Sequence, residues 1–89
     1  MEIKSEISNL ASNFLNKNFS IKADYIEIQN TRKDFEGDIT IVLFPFLKDI
    51  NKDKSVFGKD FGDFIINNSI NISNFNIAGG FLNLTISDN

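Results

Sequence analysis

Gly79-Gly80-Phe81-Leu82-Asn83-Leu84-Thr85-Ile86 reads as a strand entered from a glycine turn, and its alternation gives the sheet it joins two unlike faces. Successive strand side chains point to opposite sides, so Leu82, Leu84 and Ile86 share one face while Phe81, Asn83 and Thr85 share the other. The first set makes a core face. The second sets an aromatic ring beside an amide two residues on. Residues 70–77 supply the partner strand across the glycine-bearing turn. Phe75 and Ile77 fit a period of two, whereas Ile70 and Ile72 fall out of phase with them, so a bulge or a late strand start is expected near Ser73.

The rest of the chain supplies what that strand must pack against. At the N-terminus Ile3, Ile7, Leu10, Ala11 and Phe14 recur at steps of three and four, the stripe of an amphipathic helix, with Lys4, Glu6, Ser8, Asn9 and Asn13 turned to water. Asn16-Lys17-Asn18 is the expected stop, because Asn tolerates the left-handed conformation of a helix end. Residues 25–30 alternate, with Ile26 and Ile28 inward and Tyr25, Glu27 and Gln29 outward. Residues 31–38 are polar and read as a hairpin-like connection into a second strand over 39–44, where Ile39, Ile41 and Leu43 share the core face and Pro45 closes the strand or sits at an edge. Residues 46–54 mix apolar and charged side chains, with room for a helical turn. From Ser55 a second helix presents Phe57, Phe61, Phe64 and Ile65 on one face. Gly58 and Gly62 stand one turn apart in it, each costing about 1 kcal/mol of helix propensity relative to Ala. Close packing of the helix backbone on the sheet is the simple compensation, and close approach to a partner the alternative. The order helix, strand, strand, helix, strand, strand predicts an α+β fold: a two-layer sandwich with two helices on one face of a four-stranded, largely antiparallel sheet.

Composition limits what such a fold can do. At 89 residues, 42% of them hydrophobic and ten of them Phe, the chain reads as a single domain over residues 1–89 with enough apolar material for a core. The absence of Cys removes disulfides and thiolate chemistry, and the absence of His removes the side chain best suited to neutral-pH proton transfer and zinc binding. No catalytic or metal site is expected: Asp49-Ile50-Asn51-Lys52-Asp53 lacks the turn glycine and closing Glu of a calcium loop, and Gly79-Gly80 lacks the Lys and following helix of a phosphate loop. Glu36-Gly37-Asp38 reads as a turn and strand entry, with Asp38 bonding backbone amides. There is neither a leader-like start nor an apolar run of the roughly 20 residues that span a bilayer, so a cytoplasmic protein with no membrane contact is expected. A net charge of -3 argues mildly against non-specific DNA or RNA binding and leaves room for a small, base-reading contact.

What remains is the second face of the sheet, on which this register displays Tyr25, Glu27, Gln29, Thr40, Val42, Phe44, Phe81, Asn83 and Thr85. A ring beside an amide is the pairing that stacks on an unpaired base and hydrogen-bonds its edge. The same residues are equally read as a ring shielded by a neighbouring loop or domain and an ordinary solvated Asn. A free-standing protein-interaction module using the exposed aromatics is the alternative function.

Glu36-Gly37-Asp38, the helix around residues 55–66 and Gly79-Gly80-Phe81-Leu82-Asn83-Leu84 together resemble, in order and spacing, the N-terminal additional domain of arginyl-tRNA synthetases. In that family a Phe-Gly-Asp or similar triplet opens the second strand and a Gly-Phe-Ile-Asn-like motif opens the last. The resemblance covers nearly the whole chain. It implies a domain that lies ahead of the catalytic domain and touches the tRNA elbow, with Phe81 stacking on a D-loop nucleotide and Asn83 hydrogen-bonding it. Gly79 and Gly80 would shape the turn that RNA approaches, and Arg32 and Lys33 are secondary candidates for phosphate contact. Its implied partners are the arginine-accepting tRNA and the catalytic domain of the same polypeptide. This chain has Ala78-Gly79-Gly80-Phe81 where the family often has Gly-Pro-Gly-Phe, and a more strand-like stretch after Gly37-Asp38 than many members. The class I nucleotide-binding signature contains His, so the catalytic domain and its ATP and magnesium, like the anticodon-binding domain, are expected outside these residues. No cofactor is implied for the domain itself.

Overall fold

In the computed structural model, which describes residues 2–88, the last strand lies inside the sheet and not at its edge. The elements run α1 (Ile3–Phe19), β1 (Ile28–Asn30), β2 (Ile39–Val42), α2 (Phe44–Leu47), α3 (Lys54–Asn68), β3 (Ile72–Ala78) and β4 (Phe81–Ile86). The strands form one antiparallel sheet in the order β1-β2-β4-β3. β4 therefore has a strand on each side, and the expected alternation becomes two rows of apolar residues across the sheet. Ile41, Leu82 and Ile77 stand in one row, and Ile39, Leu84 and Phe75 in the next. Ile39, Ile41, Leu82 and Leu84 are all buried.

The helices cover this face. Ile7, Ala11, Phe14 and Leu15 of α1 and Phe57, Phe61 and Ile65 of α3 enter the same core cluster. Where the helices meet, the contact is aromatic: the Phe14 ring lies 4.5 Å from Phe61 and 5.3 Å from Phe64, and Phe19 stands edge-on to Phe57 at 5.3 Å. Such pairs add about 0.5–1.5 kcal/mol each beyond the area they bury. The glycines of α3 are compensated by the sheet. A Cβ on Gly58 would come 2.8 Å from Ile77 Cδ1, and one on Gly62 would come 2.5 Å from the Phe75 ring. Asp53 caps α3 by accepting hydrogen bonds from the Ser55 amide and hydroxyl, which hold its carboxyl below the usual carboxylate range. The cap is thus complete above the ordinary carboxylate pKa and is lost only as pH falls through the lowered value.

Several boundaries differ from the sequence reading. The first helix does not stop at Asn16-Lys17-Asn18; it runs to Phe19, and Ser20 takes the left-handed conformation at φ 57°. Two bonds close this end, from the Ser20 N–H to the Asn16 carbonyl and from the Ile21 N–H to the Leu15 carbonyl, both at 3.1 Å. Asn18 instead gives its side-chain amide to the Phe14 carbonyl. Glu6 is not a solvated residue, since its carboxylate accepts from Ser69 Oγ at 2.8 Å and Asn71 Nδ2 at 2.9 Å, tying α1 to the corner after α3. β1 has only three residues, and Tyr25 lies outside it, largely exposed. β2 ends at Val42 because Leu43 and Phe44 turn into the single-turn helix α2, where Pro45 occupies the first turn that best tolerates it. The expected irregularity near Ser73 is present as a register shift between Ile72 and Asn74.

Leu84→Ala is expected to lower unfolding stability by about 2–5 kcal/mol, because a fully buried residue leaves a cavity at the centre of the sheet. A denaturation midpoint equal to wild type would reverse the assignment of the faces. Gly62→Ala improves helix propensity yet is expected to destabilise by about 1–3 kcal/mol through overpacking on Phe75, and a gain in stability would show that α3 can lift from β3.

Candidate functional site

On the far side of the sheet, Gln29, Thr40, Asn83 and Asn76 form one polar row across all four strands. Alternation alone puts such a row in water. Instead Thr40 is 2% exposed and Asn83 1%. The connection between β1 and β2, residues 31–38, folds back over them, so the solvent face expected for Asn83 is closed and its amide is withdrawn from it.

Each polar group under this loop has a partner. Thr31 Oγ1 lies 2.9 Å from Thr40 Oγ1, the Thr40 hydroxyl donates to Asn83 Oδ1 at 2.6 Å, Asn83 Nδ2 donates to Asn76 Oδ1 at 3.0 Å, and Asn76 Nδ2 donates to the Glu36 carbonyl at 2.6 Å. Among the described residues no buried side-chain nitrogen or oxygen is left without a partner. The triplet Glu36-Gly37-Asp38 acquires a residue-by-residue reason. Glu36 supplies the last acceptor. Gly37 has a positive φ of 138°, and a Cβ there would press on Thr31 Oγ1 at 3.1 Å and on the Asn83 Cβ at 3.3 Å. Asp38 donates its N–H to the Leu84 carbonyl at 2.7 Å, and its carboxylate accepts the Ile86 N–H at 2.8 Å, extending the ladder where β2 has run out. The backbone-bonding role expected of Asp38 is thus realised on β4.

Two residues along β4, toward the turn, the same face carries Phe81. It is half-buried, registers with Val42 on one side and Ala78 on the other, and stands perpendicular to the Phe44 ring, with centroids 5.3 Å apart. Phe44 is 55% exposed. The turn beneath is shaped by both glycines: Gly79 has φ 59°, and a Cβ on Gly80 would strike the Phe44 ring at 2.7 Å. The Leu43 N–H donates to the Gly80 carbonyl at 2.8 Å, fixing the start of α2 against the turn. Two aromatic rings at right angles therefore frame the end of the sheet at Gly79-Gly80.

Arg32 and Lys33 are exposed at the tip of the covering loop, in a turn closed by the Phe35 N–H on the Arg32 carbonyl at 3.0 Å. They share the loop with Asp34, Glu36 and Asp38, so its net charge is negative. The structure brings Phe81, Gly79, Gly80 and Asn83 together on β4 and its turn, and sets Arg32 and Lys33 on the segment that lies over Asn83. Phe44 was visible on the sheet face but not as the ring resting on Gly80, because that contact depends on α2. Asn76 was missed although its place was countable. In a hairpin turning at Gly79-Gly80, residue 78 faces 81 and residue 76 faces 83.

Comparison with known proteins points one way. The arginine-tRNA ligase of Parabacteroides distasonis is 34% identical over 67 residues, covering 75% of this chain and 11% of that protein. That of Flavobacterium psychrophilum is 35% identical over 80 residues, covering 79% and 13%, and that of Bacteroides thetaiotaomicron is 40% identical over 62 residues, covering 70% and 10%. No family model matches. Among solved structures, Thermus thermophilus arginyl-tRNA synthetase superposes with a TM-score of 0.75 over 97% of this chain and 14% of that one, at 17% identity, a likeness of fold. The chain spans about a tenth of the length of the relatives it matches. In sequence and in fold, it belongs with the N-terminal additional domain of arginyl-tRNA synthetases.

Proposed function

We propose that this domain holds tRNA for an arginine-tRNA ligase, contacting a D-loop nucleotide at the tRNA elbow while the ATP- and magnesium-dependent arginylation belongs to a catalytic domain of the same polypeptide, in the cytoplasm. The observation that supports this most is the pair of perpendicular rings at the Gly79-Gly80 turn. Phe44 leaves more than half its surface in water, and Phe81 beside it is only half-buried. A splayed-out base finds there a face to stack on and an edge to abut. The turn itself offers no side chain to obstruct the approach. Arg32 and Lys33, exposed on the covering loop, are secondary candidates for contact with a phosphate. Stacking on such a platform is worth roughly 1–3 kcal/mol per base, so the isolated domain adds modestly to contacts made elsewhere in the enzyme.

Titration of the isotopically labelled domain with arginine-accepting tRNA at low and moderate salt is expected to shift amide signals at residues 79–85 and around Phe44. Phe81→Ala should keep the dispersed spectrum of the folded domain and lose most of those shifts. Shifts scattered over Lys side chains that vanish as salt rises, or no shifts at all, would reject the RNA site and favour a protein partner for the exposed rings.

A further inference from the structure

Only one of the two turn glycines is required by its own backbone. Gly79 has φ 59°, and a Cβ there would meet nothing within 4 Å. Gly80 is the reverse case. Its φ lies outside the left-handed region, so its backbone suits a side chain, yet a Cβ there would meet Phe44 first, with ring carbons Cε1, Cζ and Cδ1 at 2.7, 2.7 and 2.8 Å. This glycine answers to a ring and not to a turn. The core makes no use of that ring. Leu43 and Phe46, three residues apart at the start of α2, are buried in the core cluster, while Phe44 between them is exposed, and neither Phe44 nor Phe81 enters that cluster. An exposed ring has room to swing away from a Cβ at little cost to the fold. The bond from the Leu43 N–H to the Gly80 carbonyl uses main-chain atoms alone, so it survives a side chain at either end.

We infer that Gly80 is a positioning residue of the nucleotide site: by carrying no side chain it lets the Phe44 ring rest on the turn and stand edge-on to Phe81, and so sets the angle between the two rings that a base meets. The inference rests on the tRNA-binding reading above. Phe81 is held by its strand, which pairs through Val42 on one side and Ala78 on the other. Phe44 comes from a single-turn helix, and the surface beneath its ring is Gly80. The rings meet at 87° with centroids 5.3 Å apart. A platform made of two rings serves best when their angle is kept while the base is absent, because ordering an exposed side chain at the moment of binding subtracts from a weak contact. Gly58 and Gly62 also give up a Cβ for a close neighbour, but their neighbours Ile77 and Phe75 pack against the core. At Gly80 the neighbour is free to move, so a side chain there displaces the ring and leaves the fold.

Gly80→Ala tests this, with Phe44→Ala and the double variant beside it. In the free Gly80→Ala domain the melting temperature should stay within about 4 °C of wild type, while the NOEs between the Phe44 and Phe81 rings are lost. Ring NOEs equal to wild type would overturn the inference. tRNA affinity, measured by the same titration, should fall about threefold to tenfold in Gly80→Ala and in Phe44→Ala, as part of one base's stacking is lost. The double variant should bind like Phe44→Ala, since a residue that acts through a ring has no effect once the ring is gone. A further drop in the double variant would make the added methyl a direct obstruction to RNA and overturn the inference, as would wild-type affinity in Gly80→Ala. Should Gly80→Ala fail to fold, the double variant still decides: recovery of the fold on loss of the ring, with the affinity of Phe44→Ala, upholds the inference, and a double variant that also fails assigns Gly80 to the turn and overturns it. If the wild-type domain gives no response to tRNA, the RNA reading fails and the positioning role falls with it, whereas the ring NOEs of the free domain still show whether Gly80 sets the angle.

Discussion

The pairing of β2 with β4 across the Thr40–Asn83 bond is the joint on which the rest of the structure depends. Forty-three residues separate the two in the chain, and their register determines which side chains of the inner strand meet the helices. Once Ile39 stands opposite Leu84 and Ile41 opposite Leu82, the apolar face is complete and α1 and α3 have a floor. The same register puts Thr40 opposite Asn83 on the other side, which α1 and α3 do not cover. A sheet covered on one face by helices leaves its inner strands half wet. Here the segment between β1 and β2 covers the middle of that second face.

The two faces are held by different physics. Burial and dispersion stabilise the helical side, at about 25 cal/mol per Å2 of apolar surface removed from water, and close contact is obtained by removing Cβ atoms from α3 at Gly58 and Gly62. The loop side buries polar groups, which gain little from burial themselves and cost about 1–3 kcal/mol each when left unpaired. Its stability therefore depends on complete pairing, and complete pairing demands one particular arrangement of two amides and two hydroxyls. Apolar packing tolerates rearrangement; a directed chain of donors and acceptors does not. Specificity of the loop's position is what the polar face contributes.

Much of this was legible in the residues. The stripes of α1 and α3, the inward faces of Ile39, Ile41, Leu82 and Leu84, and the bulge at Ser73 follow from period alone. Elements set by competition were not. Nothing local distinguishes a strand through Phe44 from a strand that stops at Val42, because residues 41–44 are apolar throughout; the helix turn at Pro45 wins once Leu43 bonds to the Gly80 carbonyl. Ser20 ends α1 because tertiary packing carries the helix past two Asn residues that offered an earlier stop. The burial of Asn83 was hidden, since alternation assigns a face but says nothing of what covers it, and the cover comes from a segment with no regular structure of its own.

Electrostatics explains why the proposed RNA contact is built from rings. The domain carries a net charge of -3, and the loop that holds Arg32 and Lys33 also holds three carboxylates. A surface that tracked phosphates would need a positive field extending over about 8–10 Å at physiological salt, and this chain opposes one. Stacking acts only at contact and is indifferent to the distant field. A domain of this charge is therefore poor at gathering RNA from solution and suited to engaging a nucleotide already brought close. On the function proposed above, tethering to a catalytic domain of the same polypeptide supplies that proximity, because a linked second site acts at an effective concentration in the range of about millimolar for a short connection.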